Sequence, residues 1–154
     1  MADVIQCVTL SYVSPSSRQF SARLDADLVE RLERRGERAG MNRSRLAERY
    51  IDEGMRMEDH PGIVFREGPT GRRAALAGGP DVWEVMSAIR ASGLSGDAAV
   101  EAAAEWGSLT VGQVRTAVRY YSEYPEEIDD RIRRNVEEAD AAEAAWRREQ
   151  SALA

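Results

Sequence analysis

The chain has 154 residues and a mass of 17.1 kDa, room for one ordinary domain or two small ones, and its 43% hydrophobic residues suffice for a globular core. One cysteine, Cys7, and one histidine, His60, exclude an intramolecular disulfide and a Cys/His zinc cage. All 21 basic residues are arginine, which excludes a P-loop lysine, a lysine Schiff base and pyridoxal chemistry. An enzyme is therefore not expected, and neither a cofactor nor a metal. No apolar run approaches the roughly 18 residues of a bilayer span, and the stretch before Arg18 carries Asp3 and no basic residue, unlike a secretory signal. The expected location is the cytoplasm.

The net charge of −6 is unevenly spread. From Arg18 to Arg49, nine arginines face six acids, giving +3; from Tyr120 to Ala154, five arginines face ten acids, giving −5. A basic front and an acidic tail imply different partners for the two ends.

In chain order, residues 1–17 read as a flexible leader, with a short extra strand over Val4 to Leu10 as the alternative. Arg18 to Leu24 alternates, with Phe20, Ala22 and Leu24 on one face and Gln19, Ser21 and Arg23 on the other, as in a strand with one buried side. Asp25 then caps a helix with Leu28, Val29, Leu32 and Ala39 at helical spacing, and Gly40 stops it. After a tight turn, Asn42 caps a second helix with Leu46, Tyr50 and Ile51 on one face. A lone strand has no partner for its backbone, and a unit of about 40 residues seldom stabilises itself. Dimerisation through paired antiparallel strands answers both needs and presents Gln19, Ser21 and Arg23 twice.

Residues 18–57, through the strand Gln19 to Leu24, the Asp25 cap and Gly40-Met41-Asn42-Arg43-Ser44, resemble a ribbon-helix-helix DNA-binding module of the Arc/MetJ/CopG type. The resemblance implies a homodimer whose paired strands enter the major groove of double-stranded operator DNA, while the start of the second helix holds a phosphate. Gln19, Ser21 and Arg23 are then the base-reading residues, and Arg18, Asn42, Arg43, Ser44 and Arg45 bind phosphate. A solvated strand face in a dimer that binds no DNA is the plainer alternative.

Residues 58–62, with His60 in Asp59-His60-Pro61-Gly62, read as a linker. Ile63 to Arg66 and Arg72 to Leu76 flank Gly68-Pro69-Thr70-Gly71, a hairpin signal. Three helices are predicted next: one from Asp81 with Val82, Trp83, Met86 and Ile89; one from Ser95 with Ala98, Ala99, Ala102 and Trp106; and one from the Thr110-Gln113 capping box with Val114, Ala117, Val118 and Tyr121. Leu94 and Leu109 are expected to plug the core from the connections. Arg115 and Arg119 form either a second reading head or an exposed basic face. Tyr120, Tyr121 and Tyr124 either stack on bases or pack.

On Gly93-Leu94-Ser95, Leu109-Thr110 and Ala117 to Tyr121, roughly residues 61–123 resemble the hairpin and helix-turn-helix domain of antitoxins encoded beside PIN-like toxins. Those domains usually carry a Gly-Thr-Arg-Ile-Pro-Val-like stretch where this chain has Gly78-Gly79-Pro80-Asp81-Val82-Trp83.

Residues 124–154 have helix-forming composition and an apolar stripe at Ile128, Ile132, Val136, Ala139, Ala142 and Trp146. The acids Glu126, Glu127, Asp129 and Asp130 beside Pro125 suit a helix N-terminus better than a metal cluster. The expected fold is thus mainly α with short β: a leader (1–17), a dimeric ribbon-helix-helix (18–57), a linker (58–62), a hairpin with three helices (63–123) and an amphipathic helix (124–154). The expected function is a DNA-binding antitoxin of a type II toxin-antitoxin system, a homodimeric transcriptional repressor of its own operon. Its tail would neutralise a PIN-like ribonuclease toxin through Ile128, Ile132, Val136, Ala139 and Trp146, with Arg133, Arg134, Arg147 or Arg148 competing with the metal for the toxin's carboxylates. A free-standing regulator without a toxin is the alternative.

Overall fold

In a computed structural model, which describes residues 20–68 and 71–153, the chain is mainly helical with one small sheet. The helices are α1 (Ala26–Ala39), α2 (Arg43–Asp59), α3 (Val82–Ala91), α4 (Gly96–Gly107), α5 (Val111–Glu123) and α6 (Pro125–Ala152). Strands β1 (Ile63–Gly68) and β2 (Gly71–Leu76) pair antiparallel, Ile63 opposite Leu76 and Phe65 opposite Ala74. The chain divides into two compact units, one ending at Leu46 and one beginning at Ala47. That division falls within α2, whereas the sequence pattern placed it at a linker over 58–62.

In the N-terminal unit, Asp25 caps α1 by accepting from the amides of Asp27 (2.9 Å) and Leu28 (3.4 Å), and Gly40, at φ 61°, ends it. Asn42 Oδ1 accepts from the Arg45 amide at 2.9 Å and starts α2. Gly36 stands inside α1 for a reason that periodicity does not show. Its carbonyl accepts from the Met41 amide at 2.9 Å, and a Cβ there would lie 2.6 Å from the Met41 carbonyl oxygen. The ribbon expected over Arg18 to Leu24 is not formed in the single chain. Phe20 to Asp25 carries no strand, and Arg18 and Gln19 lie outside the described residues.

The C-terminal unit has a continuous core. Ile63, Ala74 and Leu76 of the hairpin meet Val82, Val85 and Met86 of α3, Ala103 and Ala104 of α4, Val114, Ala117 and Tyr120 of α5, and Ile128 of α6. α3 is its centre, packing on α4, α5 and α6. The Thr110–Gln113 capping box opens α5 as expected. α4 is rotated from its predicted phase: Ala99, Ala103 and Ala104 are buried, Ala98 is exposed, and Trp106 is 70% exposed. Alanines occupy both faces of this helix, so periodicity does not choose between them; the side with only alanines admits the closest approach of a neighbour. Leu109 packs against the core, but Leu94 is exposed rather than a plug.

The hairpin is fixed to α3 by an acid. Asp81, 2% exposed, accepts from Arg66 Nε (2.9 Å) and Nη2 (2.7 Å), from Trp83 Nε1 (3.1 Å) and from Arg73 Nε. Burial alone would raise its carboxyl, but the hydrogen bonds from Arg73, Arg66 and Trp83 outweigh it and hold the group below its ordinary 3.8. The depressed pKa stabilises the fold above that value, and the contribution is lost as pH falls through the folded pKa.

Asp81→Asn should therefore cost roughly 3 kcal/mol at neutral pH and make the acid limb of stability shallower, as read by denaturant melts across pH. Gly36→Ala should destabilise the N-terminal unit by roughly 1 to 3 kcal/mol through its clash with Met41, although alanine is the better helix former. Amide exchange resolved to α1 would measure it.

Candidate functional site

The expected base-reading face is described in part. Ser21 and Arg23 are exposed in the irregular segment before the Asp25 cap, and Gln19 lies outside the described residues with Arg18. On the apolar side of the same segment Phe20 is 80% exposed, and Leu24 and Leu28 are exposed as well. Val29 and Leu32 are only half-buried, so in the described part of this unit full burial is limited to Gly36 and Leu46.

At the start of α2, the Asn42 side chain is committed to capping, while the first-turn amides of Arg43 and Ser44 have no carbonyl four residues back within the helix. Arg43 donates to Glu33 at 2.5 Å, which ties the helix start to α1. A hollow of about 470 Å³ at this turn is lined by Glu33, Glu37, Met41 and Arg43 among others. With two carboxylates and one guanidinium it offers an anion no net positive charge. A phosphate would instead meet the exposed side of the helix start, where Ser44 and Arg45 stand.

The tail separates into two parts. Ile128 is 3% exposed within the core and Ile132 packs against it, so these two residues, expected at a partner interface, hold α6 to its own domain. The reason is reach: the first turns of α6 lie on α3, and the helix then runs past it. From Val136 to Leu153 every residue is exposed, Trp146 to 58%, and the Val136, Ala139, Ala142 and Trp146 stripe is uncovered. Arg133 pairs with Asp130 at 2.9 Å, and Arg134 Nε donates to the Asp130 carbonyl at 3.3 Å.

Sequence reading missed a polar junction in the C-terminal unit. His60 is not a linker residue: it is 5% exposed, its ring lies edge-on to Tyr120 and Tyr124, and Nε2 is 3.2 Å from a Glu123 carboxylate oxygen. Beside it Arg56 donates to Tyr120 Oη (3.1 Å) and Glu127 (2.6 Å) and lies 4.1 Å from the Tyr124 ring centroid. Burial would lower the Arg56 pKa, but the bonds to Tyr120 and Glu127 hold it above the ordinary arginine value. Burial and the Glu127 charge push the Tyr120 hydroxyl up against the opposing effect of Arg56. Three acids at the head of α6 are thus engaged: Glu127 here, Asp129 with Arg90 and Tyr121, and Asp130 with Arg133. Tyr120 is fully buried, and Tyr121 and Tyr124 pack on the core. Arg115 pairs with Asp97 at 2.9 Å, and Arg119 donates to Thr116 at 2.9 Å. Among the described residues, no group of three or more histidine, cysteine, aspartate and glutamate side chains is placed to hold a metal.

Compared with known proteins, the chain matches no family model, no curated sequence and no solved structure. The functional reading therefore stands on the residues themselves.

The two halves of the α6 stripe should respond differently to truncation. Ile128→Ala should cost about 2 to 5 kcal/mol in thermal or denaturant unfolding, whereas Trp146→Ala should leave stability within about 0.5 kcal/mol.

Proposed function

We propose that this chain is a DNA-binding antitoxin of a type II toxin-antitoxin pair, a homodimeric repressor that reads operator DNA with a paired β-ribbon and neutralises a PIN-like ribonuclease through its C-terminal region. The observation that carries the DNA half is the uncovered apolar edge of the N-terminal unit. Phe20, Leu24 and Leu28 are exposed beside two well-capped helices, an arrangement that costs stability unless a second copy covers it. Pairing two such segments would also join their backbones by ladder hydrogen bonds. It would set Gln19, Ser21 and Arg23 on one face, where arginine suits guanine, glutamine suits adenine and serine suits either. Ser44 and Arg45 at the start of α2 then suit the phosphates beside that groove.

The toxin half rests on α6. An exposed stripe of Val136, Ala139, Ala142 and Trp146 flanked by charge is the form in which one helix lies in another protein's groove. Arg134 and Arg148, both exposed, are the side chains suited to the carboxylate cluster of a metal-dependent nuclease.

Sedimentation should give a dimer at micromolar concentration, and Leu24→Glu should give a monomer that no longer shifts the DNA upstream of its own gene. Arg23→Ala should lose operator preference by roughly 1 to 3 kcal/mol per copy while weak non-specific binding persists; Arg45→Ala should weaken all sequences alike and flatten the salt dependence. A folded wild-type monomer, or operator preference intact in Arg23→Ala, would overturn the reading.

A further inference from the structure

A second uncovered apolar surface lies in the C-terminal unit, between α3 and α4. Trp83 and Trp106 form the walls of an open groove of about 500 Å³, and Ser87, Ala88, Ala91 and Ala102 form its floor. The small floor residues let another chain approach closely, and the two indoles offer broad apolar faces. Its α4 border is acidic, while on the α3 side Arg90, paired with Asp129, precedes Ala91 and Arg131 lies over Trp83. Glu84 lines the groove, and the exposed Glu101 and Glu105 each stand one position before a groove residue of α4, on the solvent flank of that helix.

A second copy's α6 is the first occupant to consider, because its Trp146 is uncovered. Charge argues against it. Glu143 and Glu149 stand three residues to either side of Trp146, on the same helical face, and Arg147 beside it is already paired with Glu143 at 2.6 Å. Docking Trp146 in the groove would bring these carboxylates toward Glu84, Glu101 and Glu105, a like-charge meeting of the kind that suppresses wrong partners. DNA is disfavoured by the same acids. The groove therefore calls for an apolar anchor set among arginines or lysines.

We infer that the α3–α4 groove is a docking site for a basic, apolar segment of the toxin, separate from the α6 stripe; this rests on the antitoxin reading for the identity of its occupant. The apolar anchor fills the space between Trp83 and Trp106, and its flanking cations meet Glu101 and Glu105. Cations at the indole faces add attraction, as Arg131, 5.7 Å from the Trp83 ring, already does within the chain.

The test has two arms. In the first, the full-length protein is titrated by calorimetry with a synthetic helical peptide of leucine and arginine, and with one of the same pattern in leucine and glutamate. The arginine peptide should bind, and Trp106→Ala or the pair Glu101→Gln and Glu105→Gln should weaken it about tenfold or more, while Glu30→Gln in the N-terminal unit should not. Because Trp106 is exposed, its removal leaves the fold intact. Equal binding to wild type and Trp106→Ala, or equal binding of the glutamate peptide, overturns the site. In the second arm, the product of the neighbouring reading frame is co-expressed with wild type, Trp106→Ala and Trp146→Ala. Loss of affinity in both variants supports the inference. Loss in Trp146→Ala alone overturns the groove and leaves the antitoxin reading standing. No complex at all overturns that reading and the proposed occupant, whereas Trp106-dependent peptide binding would keep the groove as a site for a basic partner.

Discussion

A carboxylate almost wholly removed from water must be repaid by strong partners, and Asp81 has three: Arg66 from β1, Arg73 from β2 and the Trp83 indole from α3. The order of the C-terminal unit follows from this contact. Asp81 also starts α3 in a capping box with Glu84 and bridges backbone to backbone with Ala75, so the same residue ends the hairpin and begins the central helix. With α3 fixed against the sheet, α4, α5 and the first turns of α6 have one helix to pack around. Trp83, held by its bond to Asp81, is in turn the inner wall of the α3–α4 groove.

What the sequence made legible is what short-range chemistry decides. Asp25 and Gly40 at the ends of α1, Asn42 before α2 and the Thr110–Gln113 box before α5 act within four residues, and each stands where the pattern placed it. The hairpin was equally local. The burial of His60 and the ion pairs of Asp81 were not legible, although Asp81 was read as the start of its helix, because these roles depend on partners elsewhere: Glu123 lies 63 positions from His60, and Arg66 lies 15 from Asp81. The phase of α4 was ambiguous in principle, since an alanine-rich helix offers two apolar faces and only packing chooses one. For the tail, periodicity found the stripe but not its division, because the point where α6 leaves its domain is set by the size of that domain. The ribbon belongs to a different class again: its partner, if formed, is another molecule, and one chain cannot display it.

The absence of lysine gives these contacts a common form. Arg72 grips Glu53 with two bonds, at 2.6 and 2.7 Å, and Arg66 grips Asp81 with two more. The hydrogen bonds to Glu53 outweigh burial and raise the Arg72 pKa, while Arg90 is raised chiefly by Asp129. A planar guanidinium both forks onto a carboxylate and lies along a ring, as Arg56 does over Tyr124, whereas an ammonium does only part of this. Replacing any of these arginines by lysine would keep the charge and lose the geometry.

Helix-turn-helix shape by itself does not make a DNA-reading head, and α4 and α5 show why. Their connection is short, Ser108 turns at φ 50°, Leu109 seats against the core, and α5 presents Arg115 and Arg119 with no acid between Thr110 and Ser122. Yet a duplex approaching α5 would also meet α4, whose exposed flank carries Asp97, Glu101 and Glu105, and Asp97 already holds Arg115. Phosphates along that flank would face carboxylates, and long-range repulsion would act before any base contact formed. The N-terminal segment has the opposite balance, with nine arginines against six acids from Arg18 to Arg49.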